Sequence, residues 1–106
     1  MATIKSYTDI EQSKKLEEIL PLESADMYHS NHPLKRIDIK YLPCWSLAAL
    51  IDILPILDNR SPVISKTFDG KYKVFYHESG IVTSDYDNPV DACYNMILKL
   101  YELKML

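Results

Sequence analysis

The chain has 106 residues, 47% hydrophobic and 25% charged, with a net charge of −3 and a pI near 5.5. That is one domain's worth of ordinary globular composition, and it excludes a disordered chain, which needs low hydrophobicity and a large net charge. It also speaks against a duplex nucleic-acid binder, which shows a basic footprint, because residues 1–40 carry 6 basic and 7 acidic groups and residues 41–106 carry 6 and 8.

The opening "MATIKSYTDIEQ" lacks the apolar core of a secretion signal. A first helix is expected after Tyr7. "TDIE" reads as a capping box, with Thr8 accepting from the backbone near Glu11 and Glu11 reaching back. Ile10, Leu16, Ile19 and Leu20 give a partial apolar stripe, and Pro21 ends it. "ESADMYH" fits one more helical turn, with Ser24 as its cap. "PLKRIDIKYLP" alternates Ile37, Ile39 and Tyr41 with charged residues, so it reads as a short edge strand or an extended loop.

"SLAALIDILPIL" predicts the second helix, capped by Ser46, with Leu47, Leu50, Ile51 and Leu54 on one face and its end at Leu54 before Pro55. The longest apolar run, "WSLAALIDILPIL", falls short of the roughly 20 residues that cross a bilayer and is broken by Asp52 and Pro55. A cytoplasmic location with no membrane partner is expected. The cysteines, Cys44 and Cys93, are 49 residues apart in apolar segments that read as helices. They read as reduced thiols acting as small hydrophobes.

"SPVISKTFDGKYKVFYHESGIVTSDY" then changes period and is rich in β-branched and aromatic residues. Asp69-Gly70 signals a two-residue hairpin turn, and Gly80 a second turn. A three-stranded antiparallel meander over roughly 62–68, 71–77 and 81–85 is predicted. A two-residue turn puts Val63, Tyr72, Val74 and Tyr76 on one face, and Ile64, Phe68 and Phe75 on the other beside Lys66 and Lys73. Both faces then carry apolar groups, so the second face is covered by a helix or meets a partner. Asn88 as cap, Pro89 at the first position and Asp91 in the first turn open the last helix, whose stripe is Val90, Cys93, Met96, Ile97, Leu100 and Leu103. The predicted fold class is α+β: two N-terminal helices, a three-stranded antiparallel meander and a C-terminal helix packed on the sheet, in a single globular domain.

"SYTDIEQSKKLEEILPLESADMYH", "PCWSLAALIDILP" and "DNPVDACYNMILKL" resemble a family of small proteins encoded by gut Bacteroidetes and their phages and mobile elements. The resemblance covers most of the chain, least in the middle of the meander. It implies a bacterial or phage cytoplasmic origin and an accessory role. It brings no activity, cofactor or catalytic residue.

His29-x-x-His32 is the first candidate for chemistry. Metal ligation at that spacing needs a helix and further ligands, and Asn31 with Pro33 argue for a polar loop. Asp85, Asp87 and Asp91 lack the glycine and glutamate of a calcium loop, since Val90 and Met96 stand at those positions. Neither G-x-S-x-G nor G-x-x-x-x-G-K-[ST] occurs, and both glycines serve turns. No metal, cofactor or catalytic residue is expected.

Eight tyrosines, with Tyr28, Tyr41, Tyr86 and Trp45 near segment ends, leave an interaction surface as the better candidate. The expectation is a non-enzymatic protein-interaction module, binding another protein or itself, with Ile64, Phe68, Phe75, Tyr28 and Tyr86 as the surface. The alternative is small-molecule or metal binding around His29, His32 and Cys44. A third expectation, nucleic-acid contact through Lys35, Arg36 and Lys40, is the weakest on charge grounds.

Overall fold

The computed structural model describes residues 5–30 and 41–106. Among these the chain is α+β, with three α-helices, one 3-10 turn and two two-stranded antiparallel sheets. His32, Lys35, Arg36, Lys40 and most of the expected edge strand lie outside the described residues.

Helix α1 spans Ile10–Ile19. Its cap is Asp9 rather than Thr8. Asp9 Oδ1 accepts from the Gln12 N–H at 2.8 Å, and Gln12 Oε1 accepts from the Asp9 N–H at 3.1 Å. The capping box therefore exists one residue later than predicted. Thr8 is unavailable because its side chain is buried: the hydroxyl accepts from the Trp45 N–H at 3.0 Å and meets the Ser13 hydroxyl at 2.8 Å. Leu16 and Leu20 are buried as the stripe predicts, while Ile10 is exposed.

The expected helical turn in "ESADMYH" shrinks to a 3-10 turn, Leu22–Ser24, and the chain then extends into β1, Met27–Ser30. Strand β1 pairs antiparallel with β2, Tyr41–Cys44, placing Tyr28 opposite Pro43. The two N-terminal helices are thus not consecutive, since a sheet lies between them, and Cys44 sits on a strand. Ser24 does not cap a helix. Its hydroxyl accepts from the Trp45 indole N–H at 2.9 Å and donates to the Pro21 carbonyl at 2.6 Å.

Helix α2, Leu47–Ile53, starts as predicted, with Ser46 Oγ accepting from the Ala49 N–H at 3.2 Å. It stops at Leu54, because Pro55 follows and restricts the residue before it. Leu50 and Leu54 are buried, but Ile51 is exposed because only one side of this short helix meets the core.

Strands β3, Val63–Lys66, and β4, Tyr72–Phe75, form a hairpin in which Val63 faces Phe75 and Ile64 faces Val74. The predicted third strand does not form as a regular element. Residues 81–86 run alongside β4 and touch it at isolated bridges, Phe75 to Val82 and Tyr72 to Tyr86. Between the bridges, Thr83, Ser84 and Asp85 stand opposite only Lys73 and Val74. This bulge breaks the ladder. Thr83 repairs the gap: its N–H donates to the Val74 carbonyl at 2.9 Å and its hydroxyl accepts from the Val74 N–H at 3.0 Å.

Helix α3, Pro89–Glu102, has the predicted cap, with Asn88 Oδ1 accepting from the Asp91 N–H at 2.8 Å. Val90, Cys93, Met96, Ile97 and Leu100 are all buried, and Leu103 is exposed past the helix end. Helix α3 packs on β4 and on α2, and α1 packs on β2. One core cluster joins Leu16, Trp45, Leu50, Val74, Tyr76 and the α3 stripe.

Candidate interaction surface

The hairpin turn sets which residues the sheet shows to solvent. Asp69-Gly70 does not make a two-residue turn. The Gly70 N–H donates to the Thr67 carbonyl at 3.1 Å, and the Thr67 N–H donates to the Lys71 carbonyl at 2.8 Å. The loop is therefore three residues, Phe68, Asp69 and Gly70. Only Gly70 takes the left-handed conformation, φ +83°, whereas a two-residue type I′ turn needs positive φ at both central positions. The Thr67 hydroxyl accepts from the Lys71 N–H at 3.0 Å and donates to Asp69, so the turn's own side chains hold the longer loop.

The extra loop residue shifts the register by one, and such a shift sends a residue to the opposite face. Ile64 now pairs with Val74 and packs on the core with Tyr72, instead of lying outward with Phe75. Val63 takes its place. Alternation puts Val63, Ser65, Lys73 and Phe75 on the outward face, and the bridge from Phe75 adds Val82, which is 42% exposed. The outward face thus carries an apolar row of Val63, Phe75 and Val82. The His77 ring stands edge-on to Phe75 at 5.3 Å, and Lys73 Nζ lies 5.8 Å from its centroid.

The five residues expected to form one surface do not come together. Phe68 projects from the hairpin tip, fully exposed, and Phe75 centres the outward row. Ile64 and Tyr86 pack against the core, where Tyr86 exchanges both backbone hydrogen bonds with Tyr72 at 2.7 and 2.8 Å. Tyr28 lies on the other sheet, 57% exposed. Val63 is the residue that the two-residue turn concealed, and Val82 joins it through its bridge to Phe75, a residue to which the sequence pattern assigns no face. The signal that finds Val63 is Thr67, whose hydroxyl favours a turn beginning one residue earlier.

The groups considered for chemistry are committed to structure. His29 Nε2 lies 2.8 Å from the Thr8 carbonyl oxygen, which only accepts, so Nε2 is the protonated nitrogen. The ring also leans on Tyr7 at 5.5 Å. Burial, then the nearby charge of Asp26, pushes the Cys44 thiol up, and burial pushes Cys93 up to about 12. Neither is an activated nucleophile. Asp91 does not gather with Asp85 and Asp87. It sits at the start of α3, where Lys5 Nζ donates at 2.9 Å and Gln12 Nε2 at 2.8 Å, while Asp87 pairs with Lys71. Among the described residues no three histidine, cysteine or acidic side chains are grouped to hold a metal, and no helix is long and apolar enough to cross a membrane. No family model, curated protein or solved structure matches this chain.

Proposed function

We propose that this protein acts by binding another protein, with the outward face of the β3–β4 hairpin as contact surface and Phe68 as a protruding anchor. The observation that carries this reading is the apolar row on the sheet face opposite the core, half-buried Val63 and Phe75 with exposed Val82, together with a fully exposed Phe68 at the far, turn end of the same hairpin. Burying a phenylalanine side chain yields about 1.5–3 kcal/mol, and aromatic anchors of this kind dominate binding energetics. A lone exposed apolar residue is ordinary. A row of three apolar residues on one sheet face, with a projecting ring on the same hairpin, is the pattern of an interaction patch. The experiment is capture of a stoichiometric partner from host lysate by the wild-type protein, Phe68→Asp and Val82→Asp. Loss of the same partner by both variants, with melting temperatures unchanged, supports the reading. Undiminished capture by both overturns it.

A second reading, small-molecule binding, is favoured by a hollow of about 610 Å³ lined by Lys5, Tyr7, Asp9, Ile10 and His29, with exposed Tyr7 and Ile10 as its apolar walls. Its metal form is checked by elemental analysis of untagged protein purified without chelators: stoichiometric metal supports it, and none ends it.

A further inference from the structure

We infer that the partner seated on this sheet face is an acidic amphipathic segment of another protein, its apolar side chains on the Val63–Phe75–Val82 row and its carboxylates beside Lys73. The inference rests on the interaction reading above and adds the partner's chemistry.

The argument is charge complementarity. In a chain of net charge −3, residues 60–77 carry four cationic side chains, Arg60, Lys66, Lys71 and Lys73, and one carboxylate, Asp69. The hairpin strands and turn are basic within an acidic chain, while the segment alongside them, residues 78–87, carries three carboxylates, Glu78, Asp85 and Asp87. Two of the hairpin's cations are already neutralised from outside it: Arg60 pairs with Glu78 at 3.0 Å, and Lys71 pairs with Asp87. Asp69 lies at the tip and accepts the Thr67 hydroxyl. Lys66 and Lys73 have no carboxylate partner among the described residues; each ammonium lies 5.8 Å from a ring centroid, Tyr72 and Phe75 respectively. Lys73 is on the outward face, next to the apolar row. Lys66 is on the opposite face with Tyr72, so Lys73 alone supplies an unpaired cation beside the apolar strip, which disfavours a basic segment and steers an acidic one.

Two other occupants fit less well. A second copy joined through the same face sets Lys73 and its neighbours against themselves, because an isologous interface brings each patch to its own copy. Single-stranded nucleic acid needs a series of open ring faces for stacking. Here the row has two valines and one ring, and that ring already has His77 at its edge and Lys73 over it.

The test is an NMR titration of isotope-labelled protein with three probes. They are a soluble peptide alternating glutamate with leucine, its lysine counterpart, and a single-stranded oligothymidylate. The expected result is amide shifts at Val63, Lys73, Phe75 and Val82 with the glutamate peptide alone, weakened several-fold by Lys73→Glu and by added salt. Equal shifts with the lysine peptide, shifts with the oligonucleotide, or none with any probe overturn the inference. So does a dimer in sedimentation that Val82→Asp dissolves. The two readings fail separately: if Phe68→Asp and Val82→Asp abolish partner capture while Lys73→Glu leaves it intact, the interaction surface stands and the acidic partner does not.

Discussion

Thr8 shows how far a single residue's role departs from its local sequence. Read locally, it is a helix cap. In the fold it is a buried tie between two distant segments, its N–H donating to the Trp45 carbonyl at 2.9 Å and its carbonyl accepting from His29 at 2.8 Å. Ser46 and Asn88 cap helices as their sequence predicts, because each bonds a backbone N–H three residues away; the Ser46 hydroxyl also donates to Asp26. The cysteines follow the same division. Their chemistry depends on what surrounds them, and burial raises both thiols. A raised thiol pKa means the neutral form persists as pH rises, so little thiolate exists at pH 8. We expect the folded protein at pH 8 to react negligibly with a thiol-specific chromogenic disulfide, and both cysteines to react once guanidinium unfolds the chain. One rapidly reacting equivalent in the folded state contradicts this.

The hairpin is where element-scale reading succeeds and fails together. The period-2 pattern and Asp69-Gly70 are enough to locate two strands and the turn between them. They do not fix whether the loop has two residues or three, and that one residue exchanges Ile64 for Val63 on the outward face. The third segment fails as a strand for a different reason. An extra residue between the Val82 and Tyr86 bridges interrupts pairing, and the Thr83 hydroxyl stands in for the missing carbonyl acceptor. Removing that hydroxyl leaves the N–H of buried Val74 without a partner. Thr83→Val, nearly isosteric, is therefore expected to cost about 1–3 kcal/mol, read as a lower urea midpoint with an unchanged slope. An unchanged midpoint means that the bulge needs no hydroxyl.

Across the whole molecule, the starts of α1 and α3 are joined by charge. Lys5 bonds both Asp9 at 3.0 Å and Asp91 at 2.9 Å, and Gln12 of the α1 capping box also donates to Asp91. Burial alone raises the Asp91 carboxyl, but hydrogen bonds from Lys5, Gln12 and Asn88 outweigh it and hold the pKa below the ordinary 3.8. A folded-state pKa below the unfolded value means that the stabilisation is full above the unfolded value and is lost as pH falls through the folded one. Asp91→Asn should lower stability near pH 7 by about 0.5–1 kcal/mol. It should also flatten the acid limb of melting temperature against pH, between about pH 5 and pH 2. A parallel acid limb in the variant rules out this carboxylate as a source of acid sensitivity.

The sequence by itself determined the α+β class, the caps and buried stripe of α3, the start and stop of α2, and the position of the β3–β4 hairpin. Each depends on contacts within one turn or on a periodic apolar pattern, which neighbouring residues specify alone. Only the tertiary structure decided the pairing of β1 with β2, the one-residue shift of the α1 cap, the hairpin register and the bulge at Thr83. The strand pairing, the cap and the bulge depend on partners outside their own turn: Trp45 for Thr8, Ser24 for the Trp45 indole, Val74 for Thr83. The register is set by which of the turn's own groups bond, Thr67 with Asp69 and Lys71. The choice of outward face belongs to the second group, because it is fixed by register against a core assembled from three helices.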